Sequence, residues 1–150
     1  MRSFTKRKKA YGLPRVRILL CPLRNDIYCT MCVTFFLQLQ SQLRVLHWQT
    51  KSYAEHKALG KAYENLDGLV DQFMEIHTAK YGNTIGNPSF SFNVNNYKDS
   101  NSLGVINAAI YYLTHELPTK LDQTADTDLL NIRDEMLAAL NQTKYLLRLS

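Results

Sequence analysis

A long helical pattern followed by a long polar stretch most constrains the fold of this 150-residue chain. From Ser52 to Tyr81, apolar residues recur at three- and four-residue steps, which is the period of one face of an α-helix. This helix of about 28 residues would be roughly 40 Å long at 1.5 Å per residue. Residues 82–101 are rich in Asn, Ser and Gly, which predicts a loop. Such a long loop is typical of a crossover between two parallel helices of a bundle.

Three further helices complete the predicted fold. The first runs from Val33 to about Lys51 and the third from about Ser102 to Leu117, while the fourth starts near Asp126. Four helices with a long crossover between helices two and three form an all-α, ferritin-like four-helix bundle, with an ordinary up-down bundle as the alternative. The predicted core positions are Phe36, Leu39, Leu43, Leu46, Leu59, Tyr63, Leu66, Val70, Phe73, Ile76, Leu129, Ile132, Met136, Leu140, Tyr145 and Leu147.

The basic charge is concentrated ahead of these helices. Residues 1–30 contain eight of the 18 Lys and Arg residues against Asp26 alone, so residues 31–150 carry ten basic and twelve acidic side chains. We therefore divide the chain into a basic, flexible N-terminal extension, 1–30, and a slightly acidic bundle, 31–150. An extension without a role, or a start of translation at Met31, is the alternative. Phosphate groups of DNA would be neutralised without sequence specificity by Lys6, Arg7, Lys8 and Lys9.

Cysteine usage and apolar run length bear on the compartment. The three cysteines are an odd number and none follows Cys32, which argues against a disulfide scaffold and for a reducing environment. The apolar run from Ile27 to Leu37 is well short of the roughly 20 residues needed to span a bilayer. We expect a cytoplasmic protein without membrane association.

Two histidines and an acidic pair are the candidate metal ligands. Asp71 and Glu75 are four residues apart, so they lie one above the other on a helix face, where they could converge on a cation. A solvated surface pair is the alternative. His56 lies roughly 22 Å from Asp71 along the same helix, so the two cannot bind one ion within one chain. A site that also uses His47 and His56 therefore requires a second copy, antiparallel about a two-fold axis.

A di-iron site inside one bundle is disfavoured because its motif is missing. Such a site takes a Glu-x-x-His sequence from each of two helices. Met74 stands three residues before His77, and Tyr112 stands three residues before His115. We expect both histidines to lie on the surface.

The junction of the first two helices resembles a known family. His47-Trp48, a Lys-x-aromatic turn, His56, and Asp71-x-x-x-Glu75 resemble the Dps family of DNA-protecting mini-ferritins, mainly over residues 35–82. The chain also resembles small uncharacterised ferritin-like proteins of phages and large DNA viruses, and a viral protein of this kind would lie in the host cytoplasm. Two features depart from the Dps pattern: Gly60 stands where that family commonly has an acidic residue, and the turn is shorter.

The resemblance implies an iron-binding protein whose sites lie between subunits. It implies a single-iron or di-iron site that oxidises Fe(II) with peroxide or oxygen, which is ferroxidase chemistry if the site is intact. It also implies a homo-oligomer, at least a dimer and by resemblance a dodecamer, with non-specific DNA association through the N-terminal extension. The alternative is a non-catalytic helical-bundle structural or interaction protein, a viral one included, that has lost the metal centre. The ligands that the resemblance implies are His47, His56, Asp71 and Glu75.

The same junction contains a helix-start pattern. Ser52-Tyr-Ala-Glu55 predicts a capping box, in which the serine accepts a backbone N–H and the glutamate reaches back to the serine N–H. Trp48 is expected to cap the core at the end of the first helix. The functional alternative is that Trp48 quenches an oxidising intermediate beside the iron.

Overall fold

The structure is a computed structural model that describes residues 25–82 and 89–149. Neither range contains a strand, and the described chain is all-helical with four helices, as predicted. The helices are α1 (Asn25–Gln49), α2 (Tyr53–Tyr81), α3 (Ser102–Tyr111) and α4 (Thr127–Leu147). α3 continues through a wider π-helical turn, Tyr112–Glu116, and a 3-10 turn, Leu117–Lys120. A further 3-10 turn spans Tyr97–Asp99.

α1 begins earlier than the predicted start at Val33. Asn25 and Asp26 favour a helix N-terminus because their side chains accept hydrogen bonds from free backbone N–H groups. No Gly or Pro lies between them and Val33, so nothing in this segment ends the helix. The residues from Ile27 onward are almost all apolar, so no polar positions interrupt them at helical spacing. The sequence pattern therefore did not reveal this part of the helix.

α1 and α2 form an antiparallel hairpin. Near the turn, Arg44 Nη2 lies 2.6 Å from Asp67 Oδ2. Further from the turn, the rings of Phe36 and Phe73 pack edge to face with their centroids 5.5 Å apart. Lower residue numbers on α1 therefore face higher numbers on α2, which is the antiparallel order.

α3 runs parallel to α2, as the crossover prediction requires. It begins beside the first turn of α2, where the Ser102 hydroxyl donates to Glu55 Oε1 at 2.5 Å. Just beyond its end, Tyr112 stacks on Phe35 of α1 with ring centroids 3.7 Å apart. α2 and α3 therefore start at the same end of the molecule, and the described part of the crossover, residues 89–101, contacts α1.

A buried carboxylate joins α4 to the end of α2. Asp126 accepts hydrogen bonds from the Tyr81 hydroxyl at 2.5 Å and from the Asp122 backbone N–H at 2.9 Å. Lys80 Nζ lies 2.9 Å from Asp126 and 2.7 Å from Asp128. Burial raises the pKa of Asp126, but these hydrogen bonds and the lysine charge outweigh it and leave the pKa below its usual value. The carboxylate therefore fixes where α4 begins.

The four helices share one hydrophobic core. Most of the predicted core positions are fully buried, which confirms the assigned helix faces. Tyr63, Ile76 and Leu147 pack at its margin. The prediction for Tyr145 is wrong, because 61% of this side chain is exposed. The fully buried residues include Phe36, Leu43, Leu46, Leu59, Leu66, Phe73, Ile106, Leu113, Leu117, Leu129, Met136 and Leu140.

Glutamine side chains of α1 hold the crossover in place. Gln42 is 6% exposed, and its amide pairs with both backbone groups of Asn95. Its Nε2 donates to the Asn95 carbonyl at 2.9 Å, and its Oε1 accepts the Asn95 N–H at 2.8 Å. Because alternate residues of the crossover face α1, this segment is held as an extended strand would be. The pairs are Gln38–Asn93, Gln42–Asn95 and Gln49–Tyr97.

The basic residues Lys6, Arg7, Lys8 and Lys9 lie outside the described residues, so DNA association through them stays a prediction. Among the described helices, none is both long and apolar enough to cross a membrane.

We expect Gln42→Ala to destabilise the protein by about 1–3 kcal/mol, because the Asn95 N–H and C=O would lose their partners in a part-buried position. Equilibrium urea unfolding measures this loss. Gln142→Ala is the matched control, since this glutamine is exposed on α4 and no hydrogen bond is found for its side chain among the described residues. Equal unfolding midpoints for the two variants would contradict the role of Gln42.

Candidate metal site at the helix junction

His47 and His56 hold each other in place across the junction of α1 and α2. Nδ1 of His47 lies 2.8 Å from the His56 carbonyl oxygen, and Nδ1 of His56 lies 2.9 Å from the His47 carbonyl oxygen. Because a carbonyl can only accept, each Nδ1 carries the hydrogen. In the neutral form, Nε2 of both rings then has a free lone pair. A backbone contact at Nδ1 of this kind is common in metal-binding histidines.

The close packing of these rings explains the glycine beside them. The two imidazoles stack with centroids 3.8 Å apart, and the His47 ring also meets the edge of Tyr63 at 5.3 Å. A Cβ atom on Gly60 would lie 3.0 Å from Cε1 of His47, which is tighter than most contacts. An acidic side chain at position 60, as in the resembling family, would therefore require the His47 ring to move.

Only half of the predicted capping box forms. The Ser52 hydroxyl accepts the Glu55 N–H at 3.3 Å, as expected for an N-cap. The Glu55 carboxylate does not reach back to Ser52, whose N–H donates to the Thr50 hydroxyl at 3.2 Å instead. The helix start was predicted, but the glutamate has a different role.

Glu55 is a buried carboxylate that joins three parts of the chain. It accepts hydrogen bonds from the hydroxyls of Thr50 in the turn, Tyr97 in the crossover at 2.7 Å, and Ser102 at the start of α3 at 2.5 Å. The residue is 8% exposed. Burial by itself raises the pKa of Glu55, but the three hydroxyl hydrogen bonds outweigh it and leave the pKa below 4.5.

The carboxylates Asp71 and Glu75 are exposed on α2 and make no hydrogen bond or ion pair with the described residues. Asp71 borders a shallow groove between α1 and α2 that also contains Leu37 and Met74. The structure does not bring this pair to the histidines of the same chain. No group of three metal-binding side chains occurs within residues 25–82 and 89–149.

A groove runs beside the histidine pair toward the end of α4. It has a volume of about 610 Å³, and Leu146 and Leu149 at the end of the chain form its far wall. Lys57 and Lys61 of α2 line its outer edge and are exposed. The His47 and His56 rings are therefore half-buried but open to a surface groove.

The prediction that Trp48 caps the core is wrong. Its side chain is 70% exposed, because it projects from the side of α1 opposite the buried Leu46. Tyr53, at the start of α2, is 77% exposed. The junction therefore presents two bare aromatic side chains next to the histidine pair.

The other two histidines differ from each other. His115 is exposed, as predicted, and stacks on Tyr111. His77 is half-buried between Phe73 and Tyr81, so the prediction of a surface position is wrong for this residue. Desolvation lowers the pKa of His77, although the charge of Asp126 opposes it.

The described chain is an all-helical protein with four helices, a long crossover and a paired-histidine junction. It belongs to DUF5856, a family of unknown function, whose profile matches residues 47–147. The matched range contains all four candidate ligands. No curated protein and no solved structure matches the chain.

We expect Glu55→Gln to destabilise the protein by about 1–3 kcal/mol at pH 7, because a buried, charge-assisted hydrogen-bond network is lost. The lowered pKa means that the wild-type carboxylate contributes its stability above pH 4.5 and loses it as pH falls further. The difference between wild type and variant should therefore shrink below pH 4.5. Urea unfolding across pH measures both effects.

Glu135→Gln, at an exposed position on α4, is the control for this experiment and should change neither quantity. A Glu55→Gln variant with wild-type stability at every pH would show that the carboxylate has no such role.

Proposed function

We propose that the chain is a ferritin-like, Dps-type protein that binds and oxidises Fe(II) at sites shared between two copies. In each site, His47 and His56 come from one copy, and Asp71 and Glu75 come from the other. Iron is the substrate, and peroxide or oxygen is the oxidant. The ferritin-like assignment is supported by the parallel α2 and α3 with the crossover between them.

The reciprocal histidine pair is the observation that carries this proposal. Both Nδ1 atoms are occupied by backbone carbonyls, so Nε2 is the nitrogen that each ring has left to offer a metal ion. Two imidazoles fixed at 3.8 Å in one tautomer lose little freedom on binding a metal ion.

Helix geometry supports a second copy as the source of the carboxylates. His56 and Asp71 are separated by roughly 22 Å along a rigid helix, so one chain cannot close the site. An antiparallel arrangement about a two-fold axis near residue 65 of α2 would bring each histidine pair to the other copy's Asp71 and Glu75. Both carboxylates are exposed and have no partner among the described residues, as such ligands would be before assembly.

The donor chemistry fits Fe(II). Imidazole nitrogen and carboxylate oxygen are both common iron ligands, and two carboxylates offset the charge of a divalent ion. Gly60 contributes no side chain, so the site has four protein ligands, for a single iron or a di-iron pair. Oxidation of two Fe(II) by one peroxide takes one electron from each iron, consumes two protons and leaves two waters. The residues of the chain bind and position the ion, while the ion itself supplies the electron.

Iron oxidation can be separated from the structural role of the histidines by a choice of variants. The amide nitrogen of Asn can stand in for Nδ1, so His56→Asn keeps a donor to the His47 carbonyl but offers no Nε2. We expect it to lose most iron-dependent absorbance on aerobic Fe(II) addition, with its stability within about 1 kcal/mol of wild type. His56→Ala should lose both absorbance and stability.

His115→Asn is the control, because this histidine is exposed and far from the junction. A wild-type protein that shows no iron-dependent absorbance would end the proposal. The histidine pair would then be the structural junction of a non-catalytic helical bundle.

Mixing of variants tests whether the site is shared between copies. A chain with His56→Ala and a chain with Asp71→Asn and Glu75→Gln should each be inactive alone. After unfolding and refolding together, random pairing gives about half mixed dimers, each with one intact site, and so about one quarter of the wild-type activity. A mixture as inactive as its components would contradict an intersubunit site. The dodecamer stays a prediction from the resemblance.

A further inference from the structure

The outer face of α2 is divided into a basic half and an acidic half. Lys57 and Lys61 are exposed toward its N-terminal end, and Asp71 and Glu75 are exposed toward its C-terminal end. No ion pair within the described chain uses any of the four, whereas the nearby Asp67 is already bound by Arg44. Exposed Lys and Glu residues usually alternate on a solvated helix. Here the charges are separated by sign, which leaves both halves unpaired within the described residues.

We propose that this face is a self-docking surface, on which α2 of a second copy packs antiparallel, with Lys57 and Lys61 of each copy against Asp71 and Glu75 of the other. The inference shares the two-fold arrangement of the proposed function but does not depend on metal. The occupant is a second copy because an antiparallel copy of the same helix complements both halves at once. A parallel copy would place like charges together.

The charges select nearly the same register as the metal ligands. In an antiparallel pair of identical helices, the numbers of two facing residues add to a constant. That constant is about 130 in the proposed site, since His56 faces the segment between Asp71 and Glu75. In that register Lys57 also lies opposite this segment, and Lys61 lies within one turn of Asp71. The metal ligands and the charge pairs, which have Asp71 and Glu75 in common, therefore point to one axis near residue 65.

The middle of the face is compatible with a close approach of the two helices. Gly68 is exposed, and a Cβ atom there would meet nothing within 4 Å. A glycine inside a helix costs about 1 kcal/mol relative to alanine, and a second helix that needs the space would account for it. Glu64 lies near the axis and would face its own copy, but Lys61 of each chain lies one turn away and offsets that repulsion.

Two bare aromatic residues lie at the helix junction, next to the N-terminal, basic end of α2. Trp48 is near the end of α1 and Tyr53 is at the start of α2, and both side chains are exposed. In the antiparallel arrangement, the acidic end of the second copy's α2 would lie beside this junction. Since Trp48 is the only tryptophan in the chain, its fluorescence reports directly on this contact.

The arrangement has a consequence for the candidate site. In a metal-free dimer, Lys57 and Lys61 of one copy would pair with Asp71 and Glu75 of the other. Neither carboxylate would then be left as an unpaired charge. A cation that enters the site would then exchange with Lys57 of the histidine-bearing copy. Assembly would precede metal binding rather than result from it.

Charge reversal tests the surface in a buffer that contains a chelator, so that iron has no part in the result. One variant carries Lys57→Glu with Lys61→Glu, and the other carries Asp71→Lys with Glu75→Lys. We expect wild type to dimerise by sedimentation velocity, each variant alone to dimerise at least about 100-fold more weakly, and their mixture to form a heterodimer. Trp48 emission should shift to the blue only where dimers form.

The matched control combines Lys98→Glu with Glu135→Lys, two exposed positions away from α2, and should dimerise like wild type. Circular dichroism checks that every variant is helical. Variants that dimerise as well as wild type, or a mixture that stays monomeric, would overturn the inference. Iron oxidation by the wild type would survive that result, and loss of iron oxidation would leave a charge-dependent dimer intact, so the two proposals fail separately.

Discussion

The Glu55 carboxylate is the interaction on which the architecture most depends. Its three hydroxyl partners come from the α1–α2 turn, the crossover and the start of α3, so one buried charge fixes the relative position of three segments. The other end of the molecule is fixed in the same way by Asp126, which joins α2 to α4. Each end of the long α2 helix is thus tied by a carboxylate, while the middle is held by apolar packing.

The stiffness of α2 then determines what kind of site the chain can form. A helix cannot bend enough to bring its first turn to the acidic pair, about four to five turns further along, so the histidines and the acidic pair stay apart in one copy. The same stiffness keeps the two charged halves of the outer face at a fixed spacing. Because α2 is rigid and its basic and acidic halves are complementary, the proposed pairing with a second copy is favoured over a rearrangement within one chain.

Much of the helical framework was predictable, because the apolar period along α2 and α4 and the polar crossover are local properties of the sequence. The path of the crossover also followed from its length. The hydrogen-bond partners of the Glu55 carboxylate were not predictable, since Tyr97 and Ser102 lie more than forty residues away along the chain. The mutual contacts of His47 and His56 depend on the geometry of the turn. The exposure of Trp48 depends on which side of α1 meets α2, and the period at the end of a helix does not reveal that.

The glutamine contacts to the crossover have a different kind of consequence. The side chains of Gln38 and Gln42 bind the backbone of Asn93 and Asn95. The side chains of the two asparagines take no part in these contacts. The attachment is therefore indifferent to which residues occupy those two positions, except that proline cannot replace Asn95, whose N–H is used. This stretch of surface can change its side chains through evolution without loosening the fold beneath it. Related chains could present very different outer surfaces on the same four helices.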